Sequence, residues 1–365
     1  MKITLSITHN CNLRCEYCYA GEKFNRIMDM DTAKKIIDFA FAVTPSSESI
    51  DFGFFGGEPF LELALMEDII AYIHTKDVSN PITFNITTNG TLFNDTILRF
   101  IRRHNIQLSI SIDGPDHVHN KKRKYKNGRG TLKKVLKNLE EISQELEYFQ
   151  VNAVFGPDTI DKLDETVRFL VNENIRNIHL NPDISASWGE EHLPLITQSY
   201  KEVADTYIRM YENDQEVAVN LLDNKLILFL KGGYEVSDRC AMGESEFGFA
   251  PSGNVYPCER LIGDDTDTEM MMGNIHTGVN LLSRCTIGKD FASSNAECEE
   301  CTFKKYCMNW CGCTNYHMTG ATDKMSAMMC HSERNAITVA KYAFNSLQEN
   351  SLFTKHMLGY THKDR

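Results

Sequence analysis

Apolar and polar positions follow two alternating rhythms along the first 183 residues. Ile3, Leu5 and Ile7 fall on every second position, the spacing of a strand with one face turned inward. Runs of this kind predict strands over Lys2–Thr8, Ile50–Phe55, Ile82–Thr87, Ile106–Ile112, Gln150–Phe155 and Asn177–Asn181. Amphipathic stretches lie between them, near 31–42, 62–75, 94–104, 131–147 and 161–173. The clearest is 131–147, where Leu132, Val135, Leu136, Leu139, Ile142 and Leu146 keep helical spacing. Strands separated by helices, with a further helix at 195–212, predict right-handed crossovers and a parallel sheet. The fold class is therefore α/β, the sheet either open or rolled into a partial, TIM-like barrel. In both cases functional groups collect at the carboxyl ends of the strands.

The conspicuous motifs fall at those ends. Cys11, Cys15 and Cys18 follow the first strand, and Gly56-Gly57-Glu58-Pro59 the second. Thr87-Thr88-Asn89-Gly90 follows the third, and Ser111-Ile112-Asp113-Gly114-Pro115 the fourth. Gly, Asn and Asp are ordinary turn residues, so one such motif says little. Four in register around one sheet end argue for a site. Beyond residue 183 the rhythm fades. Residues 184–239 read as a partly helical bridge, with an apolar segment at 219–231 ending in Gly232-Gly233. Residues 240–330 are rich in cysteine and poor in periodicity, as expected when metal holds the fold. A closing helix at 332–349 and a tail complete the chain. The expected domains are 1–183, 184–239, 240–330 and 331–365.

Composition narrows this picture. With 365 residues the chain can bury an ample core, and 42% hydrophobic with 24% charged residues is ordinary for a globular protein. No run is apolar enough to span a bilayer, and the amino terminus lacks the apolar core of a signal peptide. A cytoplasmic location is expected, without a membrane partner. The net charge of −12 disfavours nucleic acid. One stretch runs the other way: His117 to Lys137 carries nine Lys or Arg and no acid. It reads first as a solvated loop and outer helix face, and second as a dock for an acidic substrate segment. Twelve cysteines in a leaderless chain point to soft metal centres rather than disulfides. Three lie within 11–18, none between 19 and 239, and nine between 240 and 330.

The spacing of the first three thiols carries chemistry. A closed zinc or iron–sulfur site wants four protein ligands. Three thiols on one loop bind three corners of a cubane and leave one iron for a second molecule. Cys11, Cys15 and Cys18, with Tyr19 directly after, resemble the CxxxCxxC signature of the radical S-adenosylmethionine (SAM) enzymes. The resemblance implies a [4Fe–4S] cluster whose free iron chelates SAM. Reduction then yields a 5′-deoxyadenosyl radical, with the protein supplying orientation and exclusion of water. Gly56, Gly57, Glu58 and Pro59 match the family's GGEP strand end. There the glycines permit close approach and Glu58 accepts from the SAM ammonium. Asn89 resembles a ribose or carboxylate contact, and Ser111 and Asp113 hold similar places. The stretch from Asp113 through His119 to Arg123 echoes SIDGPxxxHxxxR. Arg123 then either binds a carboxylate of SAM or substrate, or belongs to the solvated basic loop.

The later cysteines resemble the SPASM extension of the same superfamily, CX9–15GX4C, CX2CX5CX3C and a last Cys. Cys240, Gly253, Cys258, Cys298, Cys301, Cys307, Cys311 and Cys330 fit it, with spacings of 12, 4, 2, 5 and 3. A zinc ribbon would explain Cys298 and Cys301 alone. The resemblance implies two auxiliary [4Fe–4S] clusters. Cys298, Cys301, Cys307 and Cys330 hold the distal one, and Cys240, Cys258 and Cys311 the nearer one. Where many relatives supply a fourth thiol to the nearer cluster, this chain has Tyr234. The fourth ligand is Cys313 or Cys285, or the iron is open to a substrate thiolate. Anaerobic sulfatase-maturating relatives carry an Asp after the second motif Cys; here it is Glu259. Glu259 is either a base of raised pKa or a surface partner of Arg260.

These resemblances imply an oxidoreductase that modifies a ribosomally made peptide or a protein and takes electrons from a flavodoxin or ferredoxin. Formation of a thioether or another cross-link is the first expectation. Oxidation of Cys or Ser to formylglycine, or dehydrogenation of a small molecule, is the second. A non-enzymatic iron–sulfur or zinc protein is the reading of another class. The chain begins at its first barrel strand, so either a separate leader-binding protein presents the peptide or recognition is direct.

Overall fold

The computed structural model describes residues 1–21, 23–280 and 296–363. They form two compact units. The first comprises Met1–Ser111, Asn120–Phe149 and the described chain from Cys240; the second comprises Ile112–His119, Gln150–Arg239 and the described residues from 296 onward.

The first unit is built on β1 (Lys2–Thr8), β2 (Ile50–Gly56), β3 (Ile82–Thr88) and β4 (Gln107–Ser111). They pair in parallel in that order, with Leu5 opposite Phe54 and Phe52 opposite Phe84. Ile3, Leu5 and Ile7 are fully buried, and so are the polar faces of β1 at Thr4, Ser6 and Thr8. That is the mark of a strand covered on both sides. Helices α1 (Met30–Val43), α2 (Leu63–His74) and α3 (Asp95–Arg103) make the crossovers. Asp29 and Asn94 cap α1 and α3 by accepting from backbone N–H groups of their first turns. A short α4 (Asp116–Lys122) precedes α5 (Leu132–Glu145), which buries Leu132, Val135, Leu139 and Ile142 on the face that periodicity marked.

In the second unit β5 (Gln150–Phe155), β6 (Asn177–Pro182) and the two-residue β7 (Ala218–Val219) run parallel. Helices α6 (Leu163–Asn172), α7 (Leu193–Glu212) and α8 (Asn220–Lys231) accompany them. Tyr200, Tyr207 and Tyr211 of α7 are buried in its core.

The Cys-rich segment contributes to both units. It enters the first as β8 (Glu246–Phe249), β9 (Asn254–Tyr256), β10 (Gly273–Asn274) and β11 (Gly278–Val279). Strand β8 lies parallel to β1, and the rest follow as an antiparallel meander. These strands have two to four residues, too few to show an alternation. Gly253 makes the β8–β9 turn at φ +85°, and a Cβ there would sit 2.8 Å from His276. The motif glycine is thus a turn requirement. In the second unit the segment supplies α9 (Ala296–Glu299) and α10 (Gly312–Thr319), followed by α11 (Ala327–Leu347) and α12 (Ser351–Lys363). No helix among the described residues is long and apolar enough to cross a membrane.

Candidate active site and thiol centres

The loop bearing Cys11, Cys15 and Cys18 leaves the carboxyl end of β1 and is stitched to its neighbours. Gly57 N–H donates to the Thr8 carbonyl at 2.7 Å, and Glu58 N–H to that of Asn10 at 3.0 Å. A Cβ on Gly56 would meet the Thr8 oxygen at 2.3 Å, and one on Gly57 the Asn10 oxygen at 2.0 Å. The two glycines therefore let the end of β2 close onto the thiol loop. Pro59 is buried and opens a short 3₁₀ turn.

Glu58 is fully buried. Its carboxylate accepts from Thr88 Oγ1 at 2.8 Å, Asn89 N–H at 2.8 Å and Phe60 N–H at 3.2 Å. These donors fill three of roughly four acceptor positions. Burial pushes the carboxyl up to about 7, while the three donors and the Arg123 charge pull it back down. Glu58 thus joins the ends of β2 and β3.

Asn89 continues that chain. Its Nδ2 donates to Asn12 Oδ1 at 2.9 Å and faces Cys11 Sγ at 3.8 Å; its Oδ1 accepts from Thr91. Cys11 is buried, and desolvation pushes its thiol up to about 11, against the Leu13 N–H directed at its sulfur. A metal must displace that proton to bind.

The basic run holds the other side of the loop. Arg14 N–H donates to the Lys124 carbonyl at 2.8 Å, and Glu16 N–H to that of Lys122 at 3.1 Å. The Glu16 carboxylate bridges Lys122 and Lys124, each at 3.2 Å. Arg123 is buried with its guanidinium over the Tyr17 ring, 5.2 Å from the centroid. This strap is a contact that sequence reasoning missed, since nothing in a basic run names the backbone it pairs with. Ser111 is buried at the end of β4. In the second unit Asp113 accepts from Val154 N–H, its carbonyl accepts from Thr166 Oγ1, and its N–H donates to His119 Nδ1. Asp113 and His119 therefore lock the turn after β4.

Tyr19 stacks on Phe55 with centroids 6.0 Å apart. Burial pushes its hydroxyl up, and the charges acting on it come from Arg260, Glu259, Cys258 and Cys18. The first thiol loop and the Cys258–Arg260 turn thus share one neighbourhood in the first unit. Cys258 is buried, its Sγ 3.5 Å from Glu259 Oε2; Cys240 Sγ is 3.1 Å from Glu246 Oε2. Lys2 reaches Glu246 at 2.7 Å and Glu259 at 3.9 Å. Burial pushes Glu259 up, but Lys2 and Arg260 outweigh it and hold the carboxyl below its usual range. The raised pKa expected of a base is not found: the expectation weighed burial and missed Lys2, 257 positions away in the chain.

In the second unit Cys307 is affected by Cys330 and Cys298, and Cys330 by Cys298 and Cys301, so these four thiols share one region. Cys311 Sγ lies 3.7 Å from Cys313 Sγ. Cys285 lies outside the described residues. Tyr234 packs edge-on against Trp310, centroids 5.3 Å apart. The buried Trp310 indole N–H has no hydrogen-bond partner among the described residues. Orphaned buried donors are rare, and one beside Cys311 suits a sulfide acceptor. None of the eleven described cysteines is in a disulfide. An all-thiol donor set of this kind fits iron–sulfur clusters.

Residues 5–170 match the family model of the radical SAM superfamily. The chain carries a radical SAM domain. SAM and a radical SAM [4Fe–4S] cluster are its cofactors. The chain is 24% identical over 325 residues to the cysteine-type anaerobic sulfatase-maturating enzyme of Clostridium novyi, covering 83% of this chain and 85% of that one. Native anSMEcpe with bound AdoMet superposes with a TM-score of 0.81 at 19% identity, over 96% of this chain and 99% of that one; the same protein has been solved with AdoMet and the Cp18Cys peptide. SuiB of Streptococcus suis bound to precursor peptide SuiA superposes at 0.61 with 14% identity, over 90% and 75%. These likenesses show the fold: an α/β radical SAM partial barrel with a cysteine-rich C-terminal region.

Proposed function

We propose that this radical SAM enzyme takes hydrogen from a carbon of a ribosomally made peptide and leaves a thioether or another cross-link. The cluster and SAM together supply the 5′-deoxyadenosyl radical; the protein's residues do the rest. Cys11, Cys15 and Cys18 hold the cluster. Glu58 and Asn89 fix the loop between them, and the last acceptor position of Glu58 is available to an ammonium. Arg123, held over Tyr17, presents a positive charge to a carboxylate. Cys240, Cys258 and Cys311 hold a nearer auxiliary cluster, and Cys298, Cys301, Cys307 and Cys330 a distal one, which accept the electron left after bond formation. Glu259, kept ionised by Lys2, accepts the substrate proton.

The observation that carries this reading is the shared neighbourhood of Tyr19, Cys18, Cys258 and Glu259. On this reading the radical source and the proton acceptor are neighbours. The test is anaerobic incubation with SAM, a flavodoxin or ferredoxin system and candidate peptides. Formation of 5′-deoxyadenosine with a two-mass-unit loss and an iodoacetamide-resistant Cys supports a thioether. A thiol-for-aldehyde mass change supports formylglycine, the second reading, which the likeness to anSMEcpe favours. Absence of 5′-deoxyadenosine refutes both.

A further inference from the structure

We infer that Glu246 is a metal ligand: the carboxylate that completes the nearer auxiliary cluster in place of the thiol missing at Tyr234. The inference rests on the reading that Cys240 and Cys258 hold that cluster.

Strand β8 carries Glu246 next to β1, with Lys2 opposite Glu246 in the parallel register. That pairing places the Lys2 ammonium 2.7 Å from Glu246 Oε1. The second oxygen, Oε2, is turned to Cys240 Sγ at 3.1 Å. Ligand atoms of Glu246, Cys258 and Glu259 also lie within 4.8 Å of one another. The Glu246 carboxylate is therefore flanked by two thiols, Cys240 from the segment before β8 and Cys258 from the turn after β9. The Glu246 side chain is only 15% exposed, so water offers it little compensation.

The charges agree with this geometry. Without metal, the Cys240 thiol donates its proton to Glu246 Oε2, and the contact is neutral on the sulfur side. Binding iron removes that proton to solvent, and no electron moves. A thiolate and a carboxylate at such a separation repel strongly in a low-dielectric site. Lys2 already serves Oε1, so Oε2 needs a new positive partner, and the iron supplies it. One S–H bond breaks; one iron–sulfur and one iron–oxygen bond form. Hard oxygen donors are acceptable to iron, although thiolate is preferred. Glu259, which follows Cys258 directly in the chain, is the rival that the Glu259→Gln variant tests.

The test uses full-length protein reconstituted anaerobically with ⁵⁷Fe and sulfide, read by iron content, Mössbauer and EPR spectra. Wild type is expected to show one iron of an auxiliary cluster with an oxygen-rich signature. Glu246→Cys should convert that iron to the all-thiolate type and move the potential of this cluster negative. Glu246→Ala should open the iron to added β-mercaptoethanol, with a changed EPR signal that wild type does not give. Where Glu246→Ala loses the cluster, its retention in Glu246→Cys also supports the ligand role, and its loss in both overturns it. Spectra of Glu246→Ala and Glu246→Cys identical to wild type overturn it too, as does a change seen only in Glu259→Gln. Cys258→Ala separates the two levels: retention of a full iron complement there removes the auxiliary cluster itself, whereas loss of one cluster's iron leaves that reading standing whatever Glu246 does.

Discussion

At the Cys11–Cys18 loop the backbone from Thr8 to Glu16 is bonded to the end of β2 and to the Lys122–Lys124 strap. The thiols at Cys298, Cys301 and Cys307 ride on turns whose bonds run mostly to themselves: Cys301 N–H to Cys298, Lys304 N–H to Cys301, Cys307 N–H to Lys304. Long-range support reaches this second region from Tyr234, whose N–H donates to the Lys305 carbonyl at 2.9 Å, and from a buried ion pair. Lys225 Nζ donates to the Tyr306 carbonyl at 3.1 Å and to Glu333 Oε2 at 2.7 Å, and Met308 N–H donates to the same oxygen at 2.6 Å. The sheet prearranges the first site before metal arrives. The second is held by a buried ion pair and few other long-range bonds among the described residues. Preorganisation is placed where a radical must be aimed.

The largest test of this contrast is Cys15→Ala. It should reduce 5′-deoxyadenosine formation to background while the iron on the later cysteines remains, measured by product analysis and iron content together. Lys225→Met comes next. Removing one partner of a buried pair costs about 3–5 kcal/mol, because Glu333 is left charged and Met308 loses a fixed acceptor. Chemical denaturation should show that loss in the second unit, with iron lost from the distal site and SAM cleavage retained.

Glu58 gives a pH test of the first site in metal-free protein. Its folded pKa, about 7, lies above the ordinary carboxylate value of 4.5. The folded state therefore binds the proton more tightly than the unfolded one. Its favourable contribution is present below about 4.5 and is lost as pH rises through about 7, by about 3 kcal/mol. Glu58→Gln should flatten that segment of the stability–pH curve. It also turns an amide donor toward Thr88 and Asn89, and should slow SAM cleavage without abolishing it. The smallest effect is expected from Lys122→Ala with Lys124→Ala. Partly exposed pairs to Glu16 are worth about 0–1 kcal/mol each and fade with salt. Thermal melts at low and high salt should converge, because the backbone bonds of the strap remain.

Much of this was legible in the chain. Period-two runs located β1 to β6, and period-3.6 runs located α1 to α3 and α5 to α7, because burial on a sheet or helix face leaves a regular trace. The short β8–β11 and the helix α12 left none that was read. Cysteine spacing marked both thiol sites, since ligands on one loop need fixed separations. The ionisation of Glu259 was not legible there, because it depends on Lys2 at the far end of the first unit's sequence.

The sequence by itself determined the element order, the thiol loops and the glycines at Gly56, Gly57 and Gly253, because each is fixed by neighbours a few residues away. Only the tertiary structure decided that Glu58 faces Thr88 and Asn89, that Lys122–Lys124 strap the first loop, and that Glu246 stands beside Cys240 under Lys2. Those contacts come from strand register and crossover, which join residues far apart in the chain, and their energies arise only once water has been excluded between them.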